Sequence, residues 1–353
     1  MKKFFCSMLF LLMIGGPLTA CGSQTEDITK VVLTTGFSKN EVFRIEDITC
    51  TLPEIMVYLV NTRNQYENVY GTEIWNADLE GITLEQNVKD TVLAKMSQIK
   101  TMNLLAREHS IVLDETEEAQ VKEAAQEYYG ALTEAEIDYM GIDLETVEEL
   151  YREYALAEKV YAYIIKDINP EISDDEARII TVEHILIKTY TLDGNGERVA
   201  YTDAEKQTAY QKAKEAFNRT RDGETPFESL MTEYSEAEEG TYSFGKGEMD
   251  EVFETAAFNL AKDEISDIVE TDSGYEIIKC LSTFDRNQTD ANKVKIVEER
   301  RQETFSEEYD AFVKTLTREL NEKLWDGVEI SLEESAGSAD FFAVYAKYFQ
   351  TGV

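Results

Sequence analysis

Only two histidines, His109 and His184, occur in 353 residues, so few side chains here can exchange a proton near neutral pH. His184 sits in Val182-Glu183-His184-Ile185-Leu186-Ile187, where polar and apolar residues alternate and then run apolar, the pattern of a buried strand. By itself such a histidine reads as a satisfied core residue. His109 lies near a helix end without acidic or cysteine neighbours at metal-ligand spacing, and reads as a surface or capping residue. Gly240 to Lys246 fits Gly-X4-Gly-Lys, the start of a phosphate-binding loop. Gly247 then stands where Ser or Thr should hold magnesium, and an acidic stretch, Glu236 to Glu239, occupies the place of the buried strand, so nucleotide binding is set aside. There is no Gly-X-Ser-X-Gly elbow for a hydrolase and no Cys-X-X-Cys pair for redox chemistry or zinc. No cofactor or metal is expected, and Cys50 and Cys280 read as small buried hydrophobes. Met249 and Phe253, four residues apart, are by type alone core residues.

The elements that would position these residues lie between Thr181 and Phe284. After the His184 strand comes an Ala- and Lys-rich helical segment, Ala204 to Thr220, and then the glycine-rich loop Gly240 to Gly247. A short helix follows over Val252 to Leu260, then a strand-like Ile265 to Val269, a turn at Thr271-Asp272-Ser273-Gly274, and a strand from Tyr275 to Leu281. Together they make an α+β unit of about a hundred residues. In order and spacing, His184-Ile-Leu-Ile, Glu233-Tyr-Ser235, Phe244-Gly-Lys-Gly-Glu-Met249, Phe253-Glu-Thr-Ala-Ala-Phe258, Glu264-Ile-Ser266 and Thr271-Asp-Ser-Gly-Tyr-Glu-Ile-Ile-Lys279 resemble the parvulin family of peptidyl-prolyl cis/trans isomerases.

The resemblance implies an FKBP-like fold over residues 178–286 and a site whose proline pocket is made by Met249 and Phe253, with Phe244 and Tyr242 beside them. His184, Thr271 and Glu276 would carry the polar part of catalysis. Parvulins place a second histidine in the last strand; here Glu276 occupies that place, so His184 would become an imidazolium held by a carboxylate instead of joining two neutral rings. An ungapped count also puts Ala237 where the family has Cys or Asp. These two departures favour a rival reading, a non-catalytic holdase whose degenerate parvulin unit binds peptide.

The flanks are helical. Pro53 starts a helix towards Tyr70, Thr83 with Gln86 and Asp114 with Glu117 give capping signals for two more, and Leu144 to Ile165 forms another, ended by Asn169-Pro170. Val42 to Ile45 is the one short strand expected there. Beyond the parvulin-like unit, Phe305, Tyr309, Phe312, Leu316, Leu320 and Leu324 make a stripe at helical spacing that needs burial. The fold expected is therefore α+β and multidomain: a discontinuous all-α chaperone domain, 41–172 plus 291–330, with the parvulin-like domain inserted and an aromatic tail, 331–353, docked on the core. This layout resembles the PrsA- and SurA-type extracytoplasmic foldases. It implies partners in unfolded or nascent secreted polypeptides with X-Pro segments. The stripes fit burial within one chain or a homodimer equally.

At the N-terminus, Lys2 and Lys3 precede an apolar run, Phe4 to Ile14, too short to span a bilayer, and Leu18-Thr-Ala-Cys21 resembles a lipobox. The resemblance implies cleavage of residues 1–20, a diacylglycerol on Cys21, a flexible tether over 21–40, and an anchor on the outer face of the membrane of a Gram-positive cell. With 71 acidic against 34 basic residues, a net charge of −37 repels nucleic acid, and none is expected as a partner.

Overall fold

The computed structural model describes residues 36–79, 81–330, 337 and 339–349. The signal segment, Cys21 and most of the tether lie outside the described residues. A hairpin opens the patterned chain, β1 (Glu41–Ile45) and β2 (Ile48–Thr51), turning through Glu46 and Asp47 with Glu46 at a positive φ of 52°. Thr51 then caps α1 (Leu52–Tyr70) in a reciprocal box with Glu54, and Pro occupies the first turn, where no N–H is needed. A 3-10 turn and a two-residue hairpin, β3 (Asp78–Leu79) and β4 (Ile82–Thr83), lead to α2 (Leu84–Glu108). Thr83 accepts from the Gln86 N–H at the start of α2, while Asp114 and Glu117 form the box that starts α3 (Glu115–Ala131). The short α4 (Glu134–Met140) and the long α5 (Leu144–Ile165) follow.

The inserted unit holds β5 (Ile180–Lys188), a hairpin of β6 (Tyr190–Leu192) and β7 (Arg198–Ala200), α6 (Asp203–Asp222), α7 (Phe227–Tyr234), β8 (Thr241–Phe244), α8 (Glu251–Phe258), β9 (Val269–Thr271) and β10 (Gly274–Ser282). Its sheet runs β8-β5-β10-β9, antiparallel throughout. Ile265 forms only an isolated bridge to Lys279, so the strand expected over Ile265–Val269 begins at its last residue instead. One sheet face packs Ile185, Ile187, Tyr275 and Ile277 against α6 and α7; the other packs Ile180, Val182 and Ile278 against α8. The core of the helical unit shares no residue with either cluster.

Three differences from the expected layout have physical causes. The stripe from Phe305 to Leu324 does not continue as one helix: α9 (Arg286–Val313) stops, and Arg318–Leu320 is β11, hydrogen-bonded to β1. Leu320 is consequently 38% exposed while Phe305 is 2% exposed. The helical unit therefore contains a three-stranded sheet, β11-β1-β2, and is not all-α. Finally, α9 is continuous from the inserted unit, where Thr289 Oγ1 accepts from the Ile179 N–H, to the helical core, where Phe305 meets Tyr161 edge-on at 4.9 Å. The boundary expected near residue 291 falls inside a helix.

After β11 come α10 (Glu322–Asp326) and, from the tail, α11 (Phe341–Tyr348). Phe341 is fully buried, stacked on Tyr151 at 4.1 Å, and its backbone is held at both ends: N–H to Asn61 Oδ1 and C=O from the Tyr151 hydroxyl. Cys50 and Cys280 are free and buried. Both tryptophans, Trp75 and Trp325, belong to the helical core, so their fluorescence reports on it alone. In urea titrations followed this way, Phe341→Ala is expected to cost about 3–5 kcal/mol and Leu320→Ala under about 1 kcal/mol. Equal losses would mean that Leu320 lies in a buried helical stripe after all.

Candidate functional site

Strand alternation decides which candidate residues meet. On β5, His184 points to the same face as Ile180 and Val182; on β10, Glu276 shares that face with Ile278. His184 lies opposite Ile278 and Glu276 opposite Leu186, so the two polar residues are diagonal neighbours across one strand pair. On β8, Tyr242 is registered with Val182 and Phe244 with Ile180, which brings both to the same face. The chain then turns through Gly245 to Gly247. Gly247 adopts φ +84°, which favours glycine there, and a Cβ at Gly245 would come within 3.0 Å of the Asn292 side chain and 3.1 Å of Ile179, both of which would have to give way. Glu248 accepts from the Gly245 N–H at 2.9 Å and from Lys295 at 2.9 Å, tying the loop to α9. Asp250 caps α8 through the N–H groups of Val252 and Phe253, which fixes where Phe253 enters the cluster.

At the centre, His184 Nδ1 is 2.8 Å from Glu276 Oε2, and Nε2 is 2.9 Å from the Glu239 carbonyl oxygen. A carbonyl can only accept, so Nε2 carries a proton, and the carboxylate on the other side favours a second proton at Nδ1, the charged imidazolium form. Burial opposes that charge, but the hydrogen bond and charge of Glu276, with the Glu239 carbonyl, outweigh it and raise the pKa above 6.5. The His184 and Glu276 side chains are 4% and 6% exposed. The His184 ring contacts Tyr242 at 5.0 Å and Phe253 at 5.6 Å, and Phe253 contacts Phe244 at 5.9 Å. Met249 is partly buried against the same cluster.

His184, Glu276, Tyr242, Phe244, Met249 and Phe253 are thus gathered on one sheet face. Thr271 is not part of this contact set. Its hydroxyl accepts from the Ser273 N–H and donates to the Gly274 carbonyl, which commits its proton to closing the β9–β10 turn. Ala237 contributes its N–H to the Ser235 hydroxyl. The Glu239 carbonyl is a partner that side-chain reasoning missed; the only signal for it is the chain reversal forced where the acidic stretch reaches Gly240, whose carbonyl accepts from the His184 N–H. His109, expected at the surface or a cap, caps α2 and meets Glu308 of α9 at 2.7 Å.

The family model of the PPIC-type PPIase domain, a rotamase, matches residues 184–282. The inserted unit is a parvulin-type PPIase domain. Over 325 residues, 89% of this chain and 95% of the relative, the protein is 25% identical to one named foldase protein PrsA from Caldanaerobacter subterraneus. Over 244 residues, 68% of this chain and 75% of the relative, it is 27% identical to the foldase protein PrsA of Staphylococcus aureus. A crystal structure of the peptidylprolyl isomerase PrsA from Bacillus cereus is similar at 18% identity, with 80% of this chain and 92% of that chain covered and a TM-score of 0.37. Within the PPIase domain, Glu276 pairs with His184 in the polar centre, and both ring nitrogens of His184 face protein partners.

Because the folded pKa of His184 is raised, the folded domain binds the proton more tightly than the unfolded chain. The stabilisation is fully present below about pH 6.5 and is lost as pH rises through the higher folded value. NMR titration of the His184 ring should give a pKa above 6.5, and Glu276→Gln should bring it down. A ring that titrates below 6.5 in the unaltered protein would refute the ion pair.

Proposed function

We propose that the protein is a lipid-anchored extracytoplasmic foldase that binds unfolded secreted polypeptides and isomerises X-Pro bonds in its PPIase domain. The observation that carries the reading is the apolar group Phe244, Met249 and Phe253 packed beside a buried, charged His184–Glu276 pair on one sheet face. Rotation about an X-Pro bond crosses a barrier of about 20 kcal/mol because amide resonance is lost at the twisted midpoint. No bond to the substrate is required. A proline ring held against Met249 and Phe253 leaves the twisted amide in a water-poor place whose field is fixed beforehand, which lowers the barrier by electrostatics.

Both N–H groups of His184 are committed to protein acceptors, so in this reading its part is positional: it fixes the Glu239–Gly240 backbone and the floor on which Tyr242 and Phe253 rest. Tyr242 is the group of the cluster that would donate to a substrate amide; burial first, then nearby Glu239 and Glu276, hold its phenol protonated to higher pH, as a hydrogen-bond donor must be. Thr271 would contribute through the turn it closes. The rival reading, a holdase whose PPIase domain only binds peptide, is favoured by the same two bonds on His184 and by Ala237.

The relatives' name, foldase protein, supports the folding role, and the helical unit supplies the surface for polypeptide capture. The basic and apolar run before Cys21 supports the anchor, and among the described residues no helix is long and apolar enough to cross a membrane.

Cis-to-trans exchange of Ala-X-Pro-Phe peptides, followed by NMR with the chain from Gly22 onward, tests the catalytic reading. Acceleration is expected, with Met249→Ala reducing it by about tenfold or more. No acceleration, alongside suppressed aggregation of an unfolded client, would establish the holdase, and a gain on Glu276→His would trace the loss to that carboxylate. For the anchor, the full chain expressed in a Gram-positive host should fractionate with membranes and Cys21→Ala with the soluble fraction. Unchanged fractionation would rule out lipidation at Cys21.

A further inference from the structure

We infer that a cleft in the helical unit, between β2, the C-terminal half of α2 and α5, is a binding site for a basic side chain, an ammonium or guanidinium group on an apolar stem presented by an unfolded polypeptide. The cleft has a volume of about 540 Å³. Ile111, Val112 and Leu156 give it apolar walls, and Val112 is 72% exposed. Ionic groups line it as well: Lys100 Nζ lies 2.5 Å from Glu54 Oε1 and 2.6 Å from Glu153 Oε1.

One ammonium therefore serves two carboxylates, and the balance is negative. Glu149 adds a third carboxylate to the lining, paired with Arg152 outside it. Glu153 is 8% exposed, and its second oxygen, Oε2, is buried without a hydrogen-bond partner. An unpaired carboxylate oxygen at such depth is costly and is relieved by any donor that reaches it. A cationic donor relieves it best, because the bond is then charge-assisted. The stem of a lysine or arginine would lie along the apolar walls while its head meets Glu153, whose buried Oε2 turns outward to receive it. The overall charge of −37 draws basic segments towards the protein from a distance.

Titration of Glu153 supports the same arrangement. Burial pushes its pKa up to about 7, against the lowering effect of Lys100. The groups that face it are Lys100 from α2, Glu54 and Tyr58 from α1, Cys50 from β2 and Glu149 from its own helix, with Arg107 also on the cleft wall. A bound cation competes with the proton for Glu153, so binding weakens as pH falls from 8 to 6.

The inference takes the carrier of the basic group from the polypeptide-binding role proposed above, but its test does not depend on isomerisation. The ¹⁵N-labelled chain from Gly22 onward, which keeps every residue of the folded unit, is titrated with Nα-acetyl-lysine methylamide and with the uncharged Nα-acetyl-norleucine methylamide. Saturable shifts at the amides of Asn103 and Ser110 are expected with the lysine probe and not with norleucine, weaker at pH 6 than at pH 8. Glu153→Gln, checked for folding by circular dichroism, should weaken the lysine probe by about tenfold. Equal response to both probes, no saturable response, or an unchanged affinity in a folded Glu153→Gln protein would each overturn the assignment. If that variant does not fold, the comparison of the two probes on the unaltered chain decides alone.

Discussion

The helical unit depends on the chain returning to its own beginning. β1 has hydrogen-bonding partners on both sides only when β11 arrives, and Asn321 Nδ2 then donates to the Glu41 carbonyl, 280 residues apart in sequence. Phe341 follows, filling a slot between Tyr58, Tyr128 and Tyr151 that would otherwise be a cavity in the core. Lys89 of α2 adds a buried bond to the Val328 carbonyl at 2.7 Å. Contacts this far apart in sequence carry a closure entropy that grows only slowly with the length between them, so an inserted domain of about a hundred residues is thermodynamically tolerable. Kinetically it orders events: the core of the helical unit cannot be completed until the whole insertion has been synthesised.

The PPIase domain solves a different problem, that of carrying charge inside a sheet. Glu276 occupies a position on a face otherwise given to Val182, Ile278 and Phe244, where an unpaired carboxylate would be expelled or neutralised. His184 meets it with a proton, and the Glu239 carbonyl completes the second ring nitrogen. Each of the three groups is satisfied by another. The same closure of bonds leaves neither ring nitrogen without a protein partner.

Much of this was legible in the sequence, and what was not has identifiable reasons. Pro53 and the capping signals at Thr83 and Asp114 mark helix starts because the constraints that define them are local. The facing of Glu276 and His184 follows from strand alternation once the pairing is guessed. The end of α9 was hidden because Leu316, Leu320 and Leu324 continue the helical spacing, while the choice of strand at Arg318–Leu320 is made by β1, a partner no local window contains. The β6–β7 hairpin did have a signal, the Asp193-Gly194-Asn195-Gly196 turn, but its three-residue strands are too short to show an alternation. Thr271 matched by position in a motif, yet position cannot say that its hydroxyl is spent within its own turn. A backbone acceptor such as the Glu239 carbonyl has no letter in a sequence at all.

The continuity of α9 has a mechanical meaning. Its 28 residues make a strut about 42 Å long, with no proline or glycine to bend it. One end is bolted to the PPIase domain by Thr289, Asn292 and Lys295, the last gripping the loop that carries Met249; the other is bolted to the helical core through Arg301, which donates to the Ile168 carbonyl, and through Phe305. A flexible linker would let each body move without the other noticing. Here torque applied to the helical unit is delivered along a stiff shaft to the loop beside Phe253, so the two bodies are geared together.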